Sequence, residues 1–247
     1  MPKLRHSSRS REVEVLEREG ATARGVEIIA ELNDVYRRTG VLSRATGLVA
    51  SELIRLREDS AGPLRVLEIG TRDGVLLESI SRWAAGADVP VELHGVEFHE
   101  SLVALARERL ASQSPPVRVH VATSPALPEL PSDHFDVVCS LFSIHHFDDD
   151  GVTEILLASK RVARGVSLHI DLDRTFWAAA LVWLVYVLLG CRRARPDAVL
   201  SVRRSHRPSE LLAIAGKLGL RAVAMPLRWP PLYWCLRVAK TETKRCA

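Results

Sequence analysis

The 247-residue chain is 47% hydrophobic and 26% charged, with a formal net charge of +4, an ordinary balance for a soluble globular protein and enough length for one α/β domain but little for two. Its basic runs, Lys3 to Arg11 and Arg192 to Arg207, lack interleaved aromatics and so argue against a nucleic-acid partner. Cys139, Cys191, Cys235 and Cys246 are scattered, without C-x-x-C or a His/Cys metal spacing, and no apolar core follows the N-terminal charges. No metal site and no secretory signal are therefore expected, and the setting expected is reduced and cytoplasmic.

Residues 1 to about 20, polar and charged up to Gly20, read as poorly ordered or loosely helical. Helical spacing follows over 21–38 (Val26, Ile29, Leu32, Val35) and again over 42–57, up to the punctuation Ser60-Ala61-Gly62-Pro63. Arg65 to Ile69 then reads as a short buried strand. Gly70 and Gly74 allow a sharp turn and close backbone approach, and the helical run Val75, Leu76, Leu77, Ile80, Trp83 begins at once. The turn thus sits at a helix N-terminus, with free N–H groups and the positive end of the dipole. A dinucleotide site wants G-x-G-x-x-G against a pyrophosphate. Here the spacing is Gly70-x-Arg72-x-Gly74 behind Glu68, an acid that would repel a pyrophosphate but could pair with an ammonium. An amino-acid-bearing nucleoside fits better than NAD.

On these residues the chain resembles the class I S-adenosylmethionine (SAM) methyltransferases, whose first motif is an acid followed by G-x-G-x-G; Arg72 stands where the middle glycine would be. The resemblance implies that Glu68 holds the methionine ammonium, that Gly70, Thr71 and Gly74 supply close backbone, and that the two leading helices cover the pocket. Val91 to Glu97 reads as the second strand, ahead of a helix over 101–110. Glu97 at its end is placed to accept both hydroxyls of a ribose, with Phe98 beside it for an adenine face.

Val117 to Val121 is the third strand. In many family members an acid opens the next loop and binds the adenine amino group; here Thr123 stands there, next to Ser124, and a hydroxyl makes a weaker contact than a carboxylate. Phe135 to Ser140 is the fourth strand, continued by Leu141-Phe142-Ser143-Ile144-His145-His146-Phe147. This resembles the small-molecule branch, including quinone and polyketide methyltransferases, and implies that Ser140 meets the cofactor. His145 or His146 could take a proton from a phenol or an acidic carbon. Asp148-Asp149-Asp150 reads as a cap for a helix over 152–162.

Val166 to Arg174 is the fifth strand and its exit. Phe176 to Cys191 is uncharged but shorter than the about 20 residues of a span, and is apolar all round. It is expected either buried and lining a pocket or in contact with a membrane surface. Ser201 to Ser205 leads to a helix from Pro208 to Leu218, and the order of these segments resembles methyltransferases that sit beside type III polyketide synthases. Leu220 to Met225 and Tyr233 to Val238 close the chain as a hairpin around Trp229-Pro230-Pro231.

The expectation is an α/β, Rossmann-like SAM-methyltransferase fold: a mostly parallel seven-stranded sheet, helices on both faces and a C-terminal antiparallel hairpin. A helical cover over 1–59 precedes a domain over 60–247, with an apolar helical insert at about 174–200. The implied activity is SAM-dependent O- or C-methylation of an apolar small molecule, such as a phenolic polyketide, a quinone or a lipid-like acceptor. A non-catalytic SAM-fold partner at a membrane, or an NAD-linked oxidoreductase, are the alternatives.

Overall fold

The structure is a computed structural model and describes residues 9–58, 60–114, 116–227 and 232–240. The hairpin turn expected at Trp229-Pro230-Pro231 lies outside them. Three helices lead: α1 (Val15–Glu19), α2 (Ala23–Arg38) and α3 (Val41–Arg57). Then β1 (Leu64–Ile69), α4 (Val75–Gly86), β2 (Val91–Glu97), α5 (Glu100–Leu110), β3 (Val117–Val121) and β4 (Phe135–Leu141) follow. A 3₁₀ turn at Ile144–His146 precedes α6 (Asp149–Val162), β5 (Ala163–Leu172), α7 (Phe176–Leu188), α8 (Arg195–Arg204), α9 (Pro208–Lys217), β6 (Arg221–Pro226) and β7 (Tyr233–Ala239).

The seven strands form one sheet in the order β3-β2-β1-β4-β5-β7-β6. The first five are parallel, and β7 joins β5 and β6 antiparallel. Strand order reverses between β1 and β4, and a crevice at the carboxyl ends of strands opens at such a switch. The central strands are apolar runs because helices cover both their faces. Leu64 and Val66 of β1 pack into the core beneath α2, α3 and α4. Leu67 and Ile69, one residue out of phase, enter a second core with Val138 and Ile155. Glu68 shares the face of Leu64 and Val66, and so ends β1 on the side that the leading helices cover.

Two segments differ from the sequence expectation. Residues 9–19 are pinned rather than loose. Asp197 accepts the backbone N–H groups of Val15 and Leu16 at 2.9 Å each, and Arg9 donates to the carbonyls of Phe147 and Arg204, each at 2.6 Å. Helix α8, not foreseen, supplies that Asp197 in its first turn, with Pro near its start and Arg203 and Arg204 at its end. Helix α7 stops at Leu188 rather than Cys191, where Gly190 takes φ +74°.

Candidate active site

Three strand ends meet at the crevice. At the end of β1, Gly70 adopts φ +73°, and a Cβ there would stand 2.0 Å from Ser143 Oγ; only glycine lets the turn lie this close to the loop after β4. Arg72 also has positive φ, 53°, which a side chain tolerates only at a cost. Its guanidinium reaches back to the cover, donating to Asn33 Oδ1 at 2.5 Å and Tyr36 Oη at 3.3 Å, and it pairs with buried Asp73 at 3.2 Å. At the end of β2, the Glu97 carboxylate accepts three backbone N–H groups: Arg72 at 2.6 Å, Phe98 at 2.7 Å and His99 at 3.1 Å. Glu97 thus ties the turn after β1 to the end of β2.

A cavity of about 320 Å³ lies over it. Of the expected residues, Glu68, Gly70, Thr71, Glu97, Phe98 and His146 line this cavity. Glu68 is buried on its floor, and its Oε2 has no hydrogen-bond partner. Burial raises its pKa well above the usual carboxylate range; Arg72 opposes this, while Asp73 and Glu97 reinforce it. An orphaned acid facing a cavity fits a ligand that brings its own positive charge, such as an ammonium.

Other expected residues stand elsewhere. Gly74 begins α4 at φ +82° and faces Leu110, not the cavity. Thr123 is exposed and donates to Glu129 at 3.5 Å, and neither it nor Ser124 lines the cavity. The Ser140 hydroxyl is buried against Nδ1 of His169, its register partner on β5, at 3.0 Å. His145 is also away from this cavity and faces a second one.

That second cavity, about 60 Å³, adjoins the first, and Leu16, Tyr36, Arg72, Phe142 and His146 line both. Its lining mixes aromatic rings with aliphatic side chains and the acids Glu14 and Asp197. Phe142, at φ 52°, sets its ring 5.0 Å from Tyr36 and 5.5 Å from Tyr233, centre to centre. Val182 and Tyr186, on the buried face of α7, complete its wall. The opposite face of α7 leaves Phe176 and Trp177 each 78% exposed and Leu188 74% exposed. No helix among the described residues is long and apolar enough to cross a membrane.

The histidines occupy the junction of the cavities. His145 Nδ1 meets Asp171 Oδ1 at 2.8 Å, its backbone N–H donates to Asp171 Oδ2 at 3.0 Å, and its Nε2 lies 3.5 Å from Glu14 Oε1. Burial disfavours the imidazolium, but Asp171 and Glu14 outweigh that and push the pKa up to about 10. Glu14, also buried, is held down to about 2 against its own desolvation by the two histidines and a hydrogen bond from Ser201. His145 is thus a buried cation at neutral pH. His146 is less buried, and its Nδ1 contacts Glu17, which also binds Arg204 at 2.7 Å. Sequence reading missed Glu14, Glu17, Asn33, Tyr36 and Asp171. Only Asp171, a charged residue near the end of an apolar strand, carried a local signal.

This strand order, with an acid and glycine turn after β1 and a second acid after β2, defines a class I SAM-dependent methyltransferase fold. Residues 66–165 match the methyltransferase-domain family, and solved methyltransferase structures share the fold. A ubiquinone/menaquinone biosynthesis C-methyltransferase of Geobacter sulfurreducens is 29% identical over 167 residues, which are 62% of this chain and 64% of that protein. The chain therefore spans less than two thirds of that relative. Among solved structures, the CMeT domain of the citrinin polyketide synthase superposes with a TM-score of 0.65 at 17% identity, covering 92% of this chain and 59% of that one. The plantazolicin methyltransferase BpumL, solved with S-adenosylhomocysteine (SAH), gives a TM-score of 0.65 at 11% identity, covering 92% and 94%.

Proposed function

We propose that the protein transfers the methyl group of SAM to an oxygen or carbon of a small aromatic acceptor, of quinone or phenolic polyketide type. The observation that carries this reading is the pair of joined cavities. One is lined by the orphaned acid Glu68 and by Glu97; the other sets the rings of Tyr36, Phe142, Tyr186 and Tyr233 among aliphatic and acidic side chains, and the His146 imidazole is common to both. The methyltransferase-domain match and the neighbour solved with SAH support SAM as the cofactor. The curated relative, named for ubiquinone and menaquinone biosynthesis, supports a quinone-like acceptor.

Glu68 would hold the methionine ammonium, Glu97 the ribose hydroxyls and Phe98 an adenine face. Bound there, SAM supplies a methyl carbon on a sulfonium, an electrophile that needs no further activation. The chain's part is alignment, worth up to about 7–11 kcal/mol when nucleophile and electrophile are held in near-attack geometry. As the acceptor's lone pair bonds the methyl carbon, the C–S pair stays on sulfur and the acceptor's proton passes to His146. Glu17 holds His146 Nδ1, which leaves Nε2 as the accepting lone pair. His145, as a cation, would stabilise a phenolate or enolate. The exposed apolar face of α7, beside exposed Arg192 and Arg193, suits an anionic lipid surface from which an oily acceptor arrives.

Calorimetric titration with SAM and, separately, NADH tests the reading. SAM binding that is lost in Glu97→Ala is expected. NADH binding in its place would refute it, and binding of neither would favour a non-catalytic partner.

A further inference from the structure

The junction of the two cavities carries a second arrangement, one that sequence spacing gave no reason to expect. Glu14, His145 and His146 each turn a metal-ligating atom inward, and these atoms all lie within 4.8 Å of one another. All three side chains line the same cavity of about 60 Å³, room for an ion and one water at roughly 30 Å³ per water. Ligand atoms each about 2.0–2.2 Å from a tetrahedral ion stand roughly 3.4 Å apart; His145 Nε2 and Glu14 Oε1 already stand at 3.5 Å, and the widest pair has to close by roughly 1 Å.

Two further observations separate this cluster from a chance gathering. Both imidazoles have Nδ1 engaged by a carboxylate, Asp171 for His145 and Glu17 for His146. Metal-binding histidines are commonly oriented this way, since the carboxylate fixes the tautomer and makes the far nitrogen the better donor. Second, His145 is 2% exposed, yet its Nε2 makes no hydrogen bond while facing Glu14 Oε1 at 3.5 Å. A buried polar atom without a partner calls for one.

We propose that Glu14, His145 and His146 form a binding site for a divalent transition metal, with Asp171 and Glu17 orienting the two rings. Two nitrogens and one carboxylate oxygen suit Zn²⁺, Fe²⁺ or Mn²⁺ rather than a soft or an all-oxygen ion. Three protein ligands leave coordination positions open toward the aromatic pocket, where an oxygen anion of the acceptor could bind. In that state the ion takes the place of the proton that His145 Nε2 otherwise carries, which is released to solvent; His146 is a ligand and not a base, and the metal supplies the hold on the acceptor's oxygen. This consequence rests on the methyl-transfer reading; the binding site does not.

The test is titration of the chelator-treated full chain with Zn²⁺ by calorimetry, followed by X-ray absorption of the loaded protein. One equivalent is expected, with nitrogen and oxygen ligands only and two imidazoles. Glu14→Gln and His146→Asn should each weaken binding at least 10-fold, and Asp171→Asn about 10-fold or more. His120→Asn, in the separate histidine group His94, His120 and His134, should leave it unchanged. Absence of stoichiometric binding would overturn the proposal. So would affinity indifferent to both Glu14→Gln and His146→Asn, or affinity lost in His120→Asn. A SAM titration of each variant confirms that it is folded, and it separates failure of the metal site from failure of the methyltransferase reading.

Discussion

Replacing Arg72 with glycine sets two effects against each other. The residue sits at φ 53°, and glycine there relieves about 1–2 kcal/mol of left-handed strain, of which about 0.4–1 kcal/mol is offset by the freer unfolded chain. Against this stands the guanidinium's network: Asn33 at 2.5 Å, Tyr36 Oη at 3.3 Å, fully buried Asp73 at 3.2 Å, and its stacking over the Tyr36 ring at 5.2 Å. Removing one partner of a buried ion pair costs about 3–5 kcal/mol. Asp73 keeps Arg109 at 2.9 Å and Asn33 Nδ2 at 2.6 Å, so about half that, roughly 1.5–2.5 kcal/mol, is the better figure. The lost cation–π contact adds about 0.5–1 kcal/mol. The network wins, by about 2 kcal/mol. For a chain of this size that is a fall in Tm of roughly 4–8 °C, measurable by scanning calorimetry. Arg72→Lys, which keeps the charge but not the fork, should fall between. A Tm for Arg72→Gly equal to or above the wild type would refute the reasoning and make the arginine a tolerated departure from glycine rather than a tie between cover and turn.

Four further outcomes are expected. His145 has its folded pKa raised to about 10, above the unfolded value of about 6.5; the stability this gives is complete below about 6.5 and is lost as pH rises through about 10. Tm should therefore decline over that window, and Asp171→Asn should start lower at pH 7 and decline less; an equally steep decline would exclude the Asp171–His145 pair as its source. Gly70→Ala, with its Cβ 2.0 Å from Ser143 Oγ and 2.7 Å from Ser143 Cβ at φ +73°, should abolish SAM binding in calorimetry and lower Tm. Gly47→Ala, in α3 with nothing within 4 Å, should raise Tm by the equivalent of about 0.5–1 kcal/mol. Sedimentation with vesicles should show the chain on anionic but not neutral lipid, reduced in Trp177→Glu; equal sedimentation of the variant would remove α7 as the contact.

The cofactor half of the site was legible because its signals are local. β1 and β4 declare themselves as apolar runs buried on both faces, and Gly70 and Gly74 mark a turn that no other residue could make so tightly. Glu68 and Glu97 stand out as acids that end such strands. The switch point then follows from topology, since strand order alone puts both acids at one crevice. Thr123 and Ser140 were placed by likeness rather than by physics. One ended on an exposed loop and the other inside the sheet, paired with His169 on the neighbouring strand.

The acceptor half was not legible, and the reason is physical. Glu14 and Glu17 lie in a polar, charged run that periodicity assigns to solvent. Burying a carboxylate is costly unless it finds partners, and the cations that meet these two come from the far side of the chain: His145 for Glu14, and His146 with Arg204 for Glu17. Asp171 waits likewise on the loop after β4. Each of these residues breaks the local rule, and each is compensated only by another that breaks it too, so no single window of sequence contains both halves of the pair. Such mutual exceptions gather where chemistry is done. On that ground Asp171, and Glu14 and Glu17, which no local pattern singled out, have a stronger physical claim on the site than Thr123, Ser124 or Ser140.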